Sequence, residues 1–317
     1  MAAACALEAF VSDPSPAKLT GYLAPDGFLL DLQQELGETV RETHGRLVLA
    51  EGPERPIAWA ANIWRDPVIM DIGSINDAAN KLRAIQRNWA LYSFRRHRRA
   101  ALIEERLPKV SAKPLQFGDA VPAAPLGSWT LLASDKLVAS ARCSSAFPNG
   151  EPQFVEDKTA PSRAYLKLWE AFTLIGVRPQ PGETCIDLGS SPGGWTWVLQ
   201  RLGARVISVD KAPLDPAIAA LPNVEERRES AFGIDPAVFT KSAGKVDWLC
   251  SDIVCYPKKL LALVKRWMET GRVRRFLCTI KFQGPTDFEA MREFAAIPGS
   301  RLIHLHHNKH ELTWMRL

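Results

Sequence analysis

The chain has 317 residues, 46% of them hydrophobic and 24% charged, enough for two domains that each bury a core. Its 40 Lys and Arg against 35 Asp and Glu give a formal charge of +5, a balance too even to name a partner by its sign. No apolar run is long enough to cross a bilayer, and the opening MAAACALEAFVSDPSP lacks a basic leader, so neither membrane insertion nor secretion is expected.

In chain order, residues 1–155 read as a smaller N-terminal α+β domain. Helix-like periodicity covers Phe28–Leu36, and Arg46–Ala50 and Val68–Ile72 are candidate strands. Asn76–Gln86 is a second helix, with Ser74 as its cap. Between Lys81 and Lys109 lie nine Lys and Arg against Glu104 and Glu105 alone. Arg95, Arg96, Arg98 and Arg99 surround His97 beside Trp89, Tyr92 and Phe94. Such a cluster suits phosphates and stacked bases, but it equally suits a solvated helix face whose aromatics point inward. Pro114–Pro125 reads as a connection inside this region, and Ser128–Ser140 as a strand pair turning at Ser134 and Asp135. A ferredoxin-like, RNA-binding domain fits this order, as do other α+β folds. The polar stretch Pro148–Ser162 is the domain boundary.

Residues 156–317 alternate more clearly. Ser162–Leu174 is a helix with Ser162 near its start, Thr184–Leu188 a strand, Trp195–Leu202 a helix and Arg205–Val209 a strand. Val246–Ser251 is a strand, Lys258–Met268 a helix and Arg275–Ile280 a strand. Arg301–Leu305 and Glu311–Leu317 flank a short polar turn and so run antiparallel to each other. The expected class is α/β, a parallel sheet with an antiparallel last strand.

The densest local signal is CIDLGSSPGGWTW, Cys185–Trp197, where a strand ends at Asp187 and a glycine turn leads into a helix. Dinucleotide sites need Gly-x-Gly-x-x-Gly; the Gly-x-x-x-Gly-Gly spacing here suits a ligand without a pyrophosphate, such as the methionine part of S-adenosylmethionine. Asp187, Gly189, Ser190, Pro192, Gly193, Gly194 and Trp195 are the candidate cofactor contacts, with Asp187 near the ligand ammonium. Asp210 ends the next strand, where an acid accepts hydrogen bonds from ribose hydroxyls. The alternative is a glycine turn required only by packing.

Methyl transfer from a sulfonium needs an acceptor held in line and relieved of its proton. Lys167 in the helix before the glycine turn, Asp252 and Lys281 at strand ends and Glu311 on the final strand could supply two cations among two carboxylates. Each has a plainer reading: Lys167 pairs with Glu170 on a helix surface, Asp252 caps the helix or turn that follows its strand, Lys281 is a solvated strand end, and Glu311 an exposed strand residue opposite a lysine.

PSRAYLKL, DLGSSPGGW, VISVDKAP, LCSDI, CTIKFQG and HELTWMRL stand in an order that resembles the FtsJ-like ribose methyltransferases, nearest to the M type that modifies a cytidine of bacterial 23S ribosomal RNA. The resemblance covers about half the chain, Pro161–Leu317. It implies a Rossmann-like class I methyltransferase fold, S-adenosyl-L-methionine as cofactor, ribosomal RNA or its precursor as partner, and 2′-O-ribose methylation. By motif, the family's Lys-Asp-Lys-Glu tetrad maps onto Lys167, Asp252, Lys281 and Glu311. Lys281 takes the role of base or hydroxyl activator, Asp252 tunes it and borders the cofactor, and Lys167 and Glu311 position the ribose. After the third strand such enzymes place an acid against the adenine; here Ser230 stands there beside Glu229, leaving both as candidate contacts. The N-terminal half matches weakly and is too short for both accessory modules of the M type.

The six cysteines, Cys5, Cys143, Cys185, Cys250, Cys255 and Cys278, form no Cys-x-x-Cys pair, so free thiols in a cytoplasmic protein are expected. His304, His306, His307 and His310 crowd the tail. His304 and His306 would share one strand face, but no third ligand has a defined spacing and no metal is expected. The competing reading is a non-catalytic RNA-binding or ribosome-assembly factor on a methyltransferase scaffold. A base or protein amine methyltransferase loses because SDIVCYP lacks the usual Asn/Asp-Pro-Pro-aromatic turn.

Overall fold

Short β-branched and aromatic runs separated by Gly, Pro and Asx turns give the first half of the chain two antiparallel-rich sheets. The computed structural model describes residues 18–110 and 113–317; Cys5 and the opening stretch read for a leader lie outside the described residues. The elements are β1 (Leu19–Leu23), α1 (Leu29–Leu36), β2 (Val40–His44), β3 (Leu47–Glu51), β4 (Asn62–Arg65), β5 (Val68–Asp71), α2 (Ile75–Ile85), β6 (Trp89–Leu91), α3 (His97–Glu104), β7 (Gly127–Leu131), β8 (Lys136–Ser140) and β9 (Arg142–Cys143). One sheet has the order β2-β3-β1-β4-β9, the other β5-β8-β7-β6. Ser74 caps α2 as expected, its hydroxyl accepting from the Asp77 amide at 3.1 Å. The second sheet follows the order β-α-β-α-β-β, not the β-α-β-β-α-β of a ferredoxin-like unit. The difference arises at β6, only three residues long, and at α3, which the basic run disguised.

The second half continues with α4 (Tyr165–Ile175), β10 (Thr184–Leu188), α5 (Gly194–Arg201), β11 (Arg205–Val209), α6 (Pro216–Ala219), β12 (Val224–Arg227), α7 (Pro236–Ala243), β13 (Val246–Ser251), α8 (Pro257–Glu269), β14 (Val273–Lys281), α9 (Phe288–Ala295), β15 (Ser300–Ile303) and β16 (Glu311–Arg316). They form one sheet of order β12-β11-β10-β13-β14-β16-β15. From β12 to β14 the pairs are parallel, and β16 runs antiparallel to both of its neighbours. The α/β class and the reversed last strand are as read from the sequence. Ser162 does not cap α4, which starts at Tyr165 without a side-chain cap. Its hydroxyl instead fills the space beside Gly194, 2.5 Å from where a Cβ there would lie. Among the described residues, no helix is long and apolar enough to cross a membrane.

One apolar cluster runs from Tyr22 and Val48 of the first sheet and Trp59 of the β3–β4 loop to Ile186, Phe276 and Trp314 of the seven-stranded sheet. Phe28 and Trp59 lie against His304, with ring centroids 4.9 and 5.2 Å away, and the His304 amide donates to the Ala58 carbonyl at 2.8 Å. The segment around Phe117 is not confined to the N-terminal region: its ring stacks on Trp169 of α4 at 4.9 Å, and Leu115 bridges Phe154.

The loop carrying Ala58 and Trp59 is held by Glu35, whose two carboxylate oxygens each accept one of their amides at 2.9 Å. Burial raises the Glu35 pKa, while these two bonds and Arg55 oppose the rise. Glu35→Ala leaves both amides without their acceptor. It should lower stability by about 2 kcal/mol, read as a shifted denaturant midpoint at constant slope.

Candidate active site

The parallel strands all deliver their C-terminal ends to one sheet edge, and the strand order reverses between β10 and β13. Such a switch point leaves a crevice outside the strand ends. Asp187, Asp210, Ser230, Asp252 and Lys281 all lie at or just beyond these ends. The glycine turn over the crevice is explained by packing. Gly189 has φ +80°, and a Cβ there would lie 2.6 Å from Ile253 Cγ1 and 2.9 Å from its Cα. A Cβ on Gly193 would meet Ile218 at 2.8 Å.

The charges carry the stronger indication of a ligand. Asp187 is fully buried; its Oδ2 accepts from Thr196 at 2.7 Å, and Thr196 is in turn 2.7 Å from Ser208. Its Oδ1 has no partner. Burial pushes its pKa up to about 7, Thr196 opposes this, and the neighbouring charges of Asp252 and Asp210 push the same way. Asp210 accepts the Ser191 amide at 3.1 Å and the Ala212 amide at 3.0 Å. Asp187 and Asp210, neither of them ion-paired among the described residues, make this turn a site that favours a cation. Ser190 is buried, Glu229 is exposed and Ser230 half-buried, its carbonyl accepting from the Gly233 amide at 2.9 Å. Pro192 accepts the Asp215 amide through its carbonyl. The indole of Trp195 is not turned to a ligand: it is buried and donates to the Ala164 carbonyl at 2.9 Å, joining α5 to the start of α4.

Lys167 from α4, Asp252 after β13, Lys281 ending β14 and Glu311 opening β16 meet beside this turn. Lys281 and Glu311 face each other in the β14–β16 register. Lys167 Nζ lies 2.6 Å from Glu311 Oε1 and 3.3 Å from Asp252 Oδ1. Lys281 Nζ lies 3.1 Å from the same Asp252 oxygen and donates to the Asp252 carbonyl at 2.6 Å. All four side chains are at most 18% exposed.

This geometry replaces each plainer reading. Glu170 does not pair with Lys167. It is 1% exposed and accepts the His306 and His307 amides at 2.7 and 3.0 Å and His307 Nδ1 at 2.7 Å. Asp252 caps no helix, since α8 starts at Pro257 after Tyr256. Glu311 is buried and holds the Lys309 amide at 3.2 Å.

Thr196 and Ser208 are not marked by any signal in the sequence, and Glu170, expected on a helix surface beside Lys167, is buried instead. His304 and His306 do not share a strand, because β15 ends at Ile303. Burial pushes the His304 imidazole down to about 4, and its Nε2 lies 3.0 Å from the Lys309 carbonyl. Among the described residues, no group of three or more His, Cys, Asp or Glu is arranged to hold a metal. In the basic cluster Arg95, Arg96 and Arg98 are exposed, while Trp89 and Tyr92 are buried and offer no stacking face.

Residues 160–280 match the family FtsJ-like methyltransferase. The chain is similar to the ribosomal RNA large subunit methyltransferase M of Halorhodospira halophila, 35% identical over 175 residues, covering 53% of this chain and 50% of that protein. The enzyme of the same name from Aromatoleum aromaticum is 34% identical over 183 residues, covering 53% and 48%. That of Methylococcus capsulatus is 32% identical over 185 residues, covering 54% and 51%. The chain spans about half the length of the curated relatives it matches.

Lys167 is the cation between two nearly buried carboxylates. Lys167→Ala leaves Glu311 without its ion-pair partner and should cost about 3 kcal/mol of stability, read by denaturant unfolding. Adding Glu311→Gln should recover part of that loss, because it removes the uncompensated charge.

Proposed function

We propose, on the premise that residues 160–280 form an FtsJ-like methyltransferase domain, that this chain methylates a ribose 2′-hydroxyl of RNA, with large-subunit ribosomal RNA as its substrate. The observation that carries the reading is the convergence of Lys167, Asp252, Lys281 and Glu311 beside the glycine turn. The names of the relatives support the choice of RNA.

The acidic crevice fits S-adenosylmethionine, which carries a sulfonium and an ammonium; Asp187, with one unpartnered oxygen, supplies compensating charge. Asp210 would hold the cofactor ribose, and Glu229 and Ser230 lie on the segment that would flank the adenine. The bound cofactor supplies an electrophilic methyl whose departure leaves a neutral thioether. Lys167 and Glu311 orient the acceptor ribose; Lys281 acts as the free amine, having first given one ammonium proton to solvent, and its Nζ lone pair receives the hydroxyl proton as the new O–C bond forms. Asp252, through its Oδ1 and carbonyl, fixes Lys281 where that oxygen must lie.

We read residues 1–155 as a module that engages RNA and residues 156–317 as the catalytic unit. Exposed Arg95, Arg96 and Arg98 supply phosphate-binding charge. A cytoplasmic setting agrees with a ribosomal RNA substrate.

Lys281→Arg keeps a cation beside Asp252 but cannot give up its proton, so it offers no free base. It should lower kcat at least about a hundredfold, as Lys281→Ala does, with cofactor affinity by calorimetry unchanged. Retained turnover in Lys281→Arg would remove the base role.

Because burial raises Asp187 to about 7, a cationic ligand that favours its ionised form must expel a proton where the free protein still holds one. Calorimetry near pH 6 in buffers of different ionisation enthalpy should therefore report proton release on S-adenosylmethionine binding. Affinity should rise as pH climbs toward 7. Asp187→Asn should abolish the release.

A further inference from the structure

The segment between Asp252 and α8 alternates between interior and surface. Ile253 is 9% exposed and closes on the Gly189 turn, Cys255 is buried in the large apolar cluster, and Pro257 is buried at the first turn of α8. Between these anchors, Val254 and Tyr256 are 73% and 66% exposed. Val254 and Tyr256 flank a bend at Cys255 and both face outward, two apolar groups exposed on one short stretch of chain. A backbone pinned three times on its inner side gains nothing in its own packing from exposing an isopropyl group and a phenol ring. Large apolar groups held out in this way mark contact surfaces.

The position says what makes the contact. The segment begins at the carboxylate that carries both Lys167 and Lys281, and four trans peptide links keep the Tyr256 Cα within about 14 Å of the Asp252 Cα. Lys281 Nζ donates to the Asp252 carbonyl at 2.6 Å, so this segment starts at the second amine. Exposed Lys258, paired with Glu289 at 2.6 Å, and exposed Lys259, its Nζ 4.1 Å from the Phe232 ring centre, follow the tyrosine. An aromatic face with an aliphatic neighbour, bordered by the Lys259 cation and offering one hydroxyl, suits a flat, anion-bearing ligand read without a hydrogen-bond code. A ribose presented to Lys281 carries its base on the next ring carbon, and that base needs a face once it leaves the helix stack.

We propose that Tyr256, backed by Val254, is the stacking surface for an unpaired base of the RNA segment that carries the target ribose. The assignment rests on the reading of this domain as an RNA ribose methyltransferase and names how its substrate is held.

The test uses the full chain, saturating S-adenosylmethionine, fixed salt and large-subunit ribosomal RNA purified from cells lacking the gene. Tyr256→Ala should raise the KM for RNA about tenfold or more, whereas Tyr256→Phe and Tyr256→Trp, which keep the ring, should stay near wild type. Cofactor affinity should be unchanged in all three. An unchanged KM in Tyr256→Ala, or an equal loss in Tyr256→Phe, would overturn the stacking role. A single-stranded RNA carrying 2-aminopurine at the modified position and its neighbours gives a second readout that needs no turnover. Quenching by the wild type and by Tyr256→Phe but not by Tyr256→Ala is expected, and equal quenching by Tyr256→Ala would refute the proposal. Failure of the wild type to methylate the RNA, with the quench intact, would count against the activity reading alone.

Discussion

The Asp252 carboxylate is the hinge of the charge arrangement. One of its oxygens lies close to amines from two elements far apart in sequence, and the first of those amines also reaches Glu311. Withdrawn from water, none of these groups is tolerable alone; together they compensate one another. That condition dictates much of the surrounding architecture. Helix α4 must lie over the sheet edge with Lys167 turned inward, β14 must run on past Cys278, the partner of the last β13 residue, to Lys281, and β16 must begin opposite the end of β14. The reversed direction of β16 achieves the last of these, since a parallel strand there would bring its far end to the edge.

The N-terminal sheets are not appended loosely to this arrangement. Phe28, Trp59 and His304 pack together across the halves, and the 58–59 loop that receives the His304 amide is itself held by Glu35. Whatever the first half contacts is therefore held in a set relation to the crevice, through a core that both halves share.

Much of the second half could be read from the chain because its strands are buried apolar runs bounded by turn formers; β10, β11 and β13 fall where that pattern puts them. Asp252 and Lys281 could be located because each stands at the end of such a run; Lys167, within α4, and Glu311, at the head of β16, were placed by the family motif. The first half was harder. Strands such as β6, at three residues, carry no period, and the arginines of α3 hide a helix whose buried face is little more than Ala100 and Ile103. Glu170 was misjudged for a related reason. Helical spacing says which residues are neighbours on one helix, but not that a turn 136 residues away will offer its amides.

Helix α4 sends Lys167 toward the crevice and, three residues later, Glu170 into the turn that precedes β16. The two side chains set opposite ends of one short span, from the clasped amides of His306 and His307 to the carboxylate of Glu311. That span behaves as a ruler whose length is fixed at both ends. Residues inserted or deleted between Asn308 and His310 would carry Glu311 off its mark even with every other strand intact. Variation in chain length has freer room in the segments that lead into the sheet from its opposite edge.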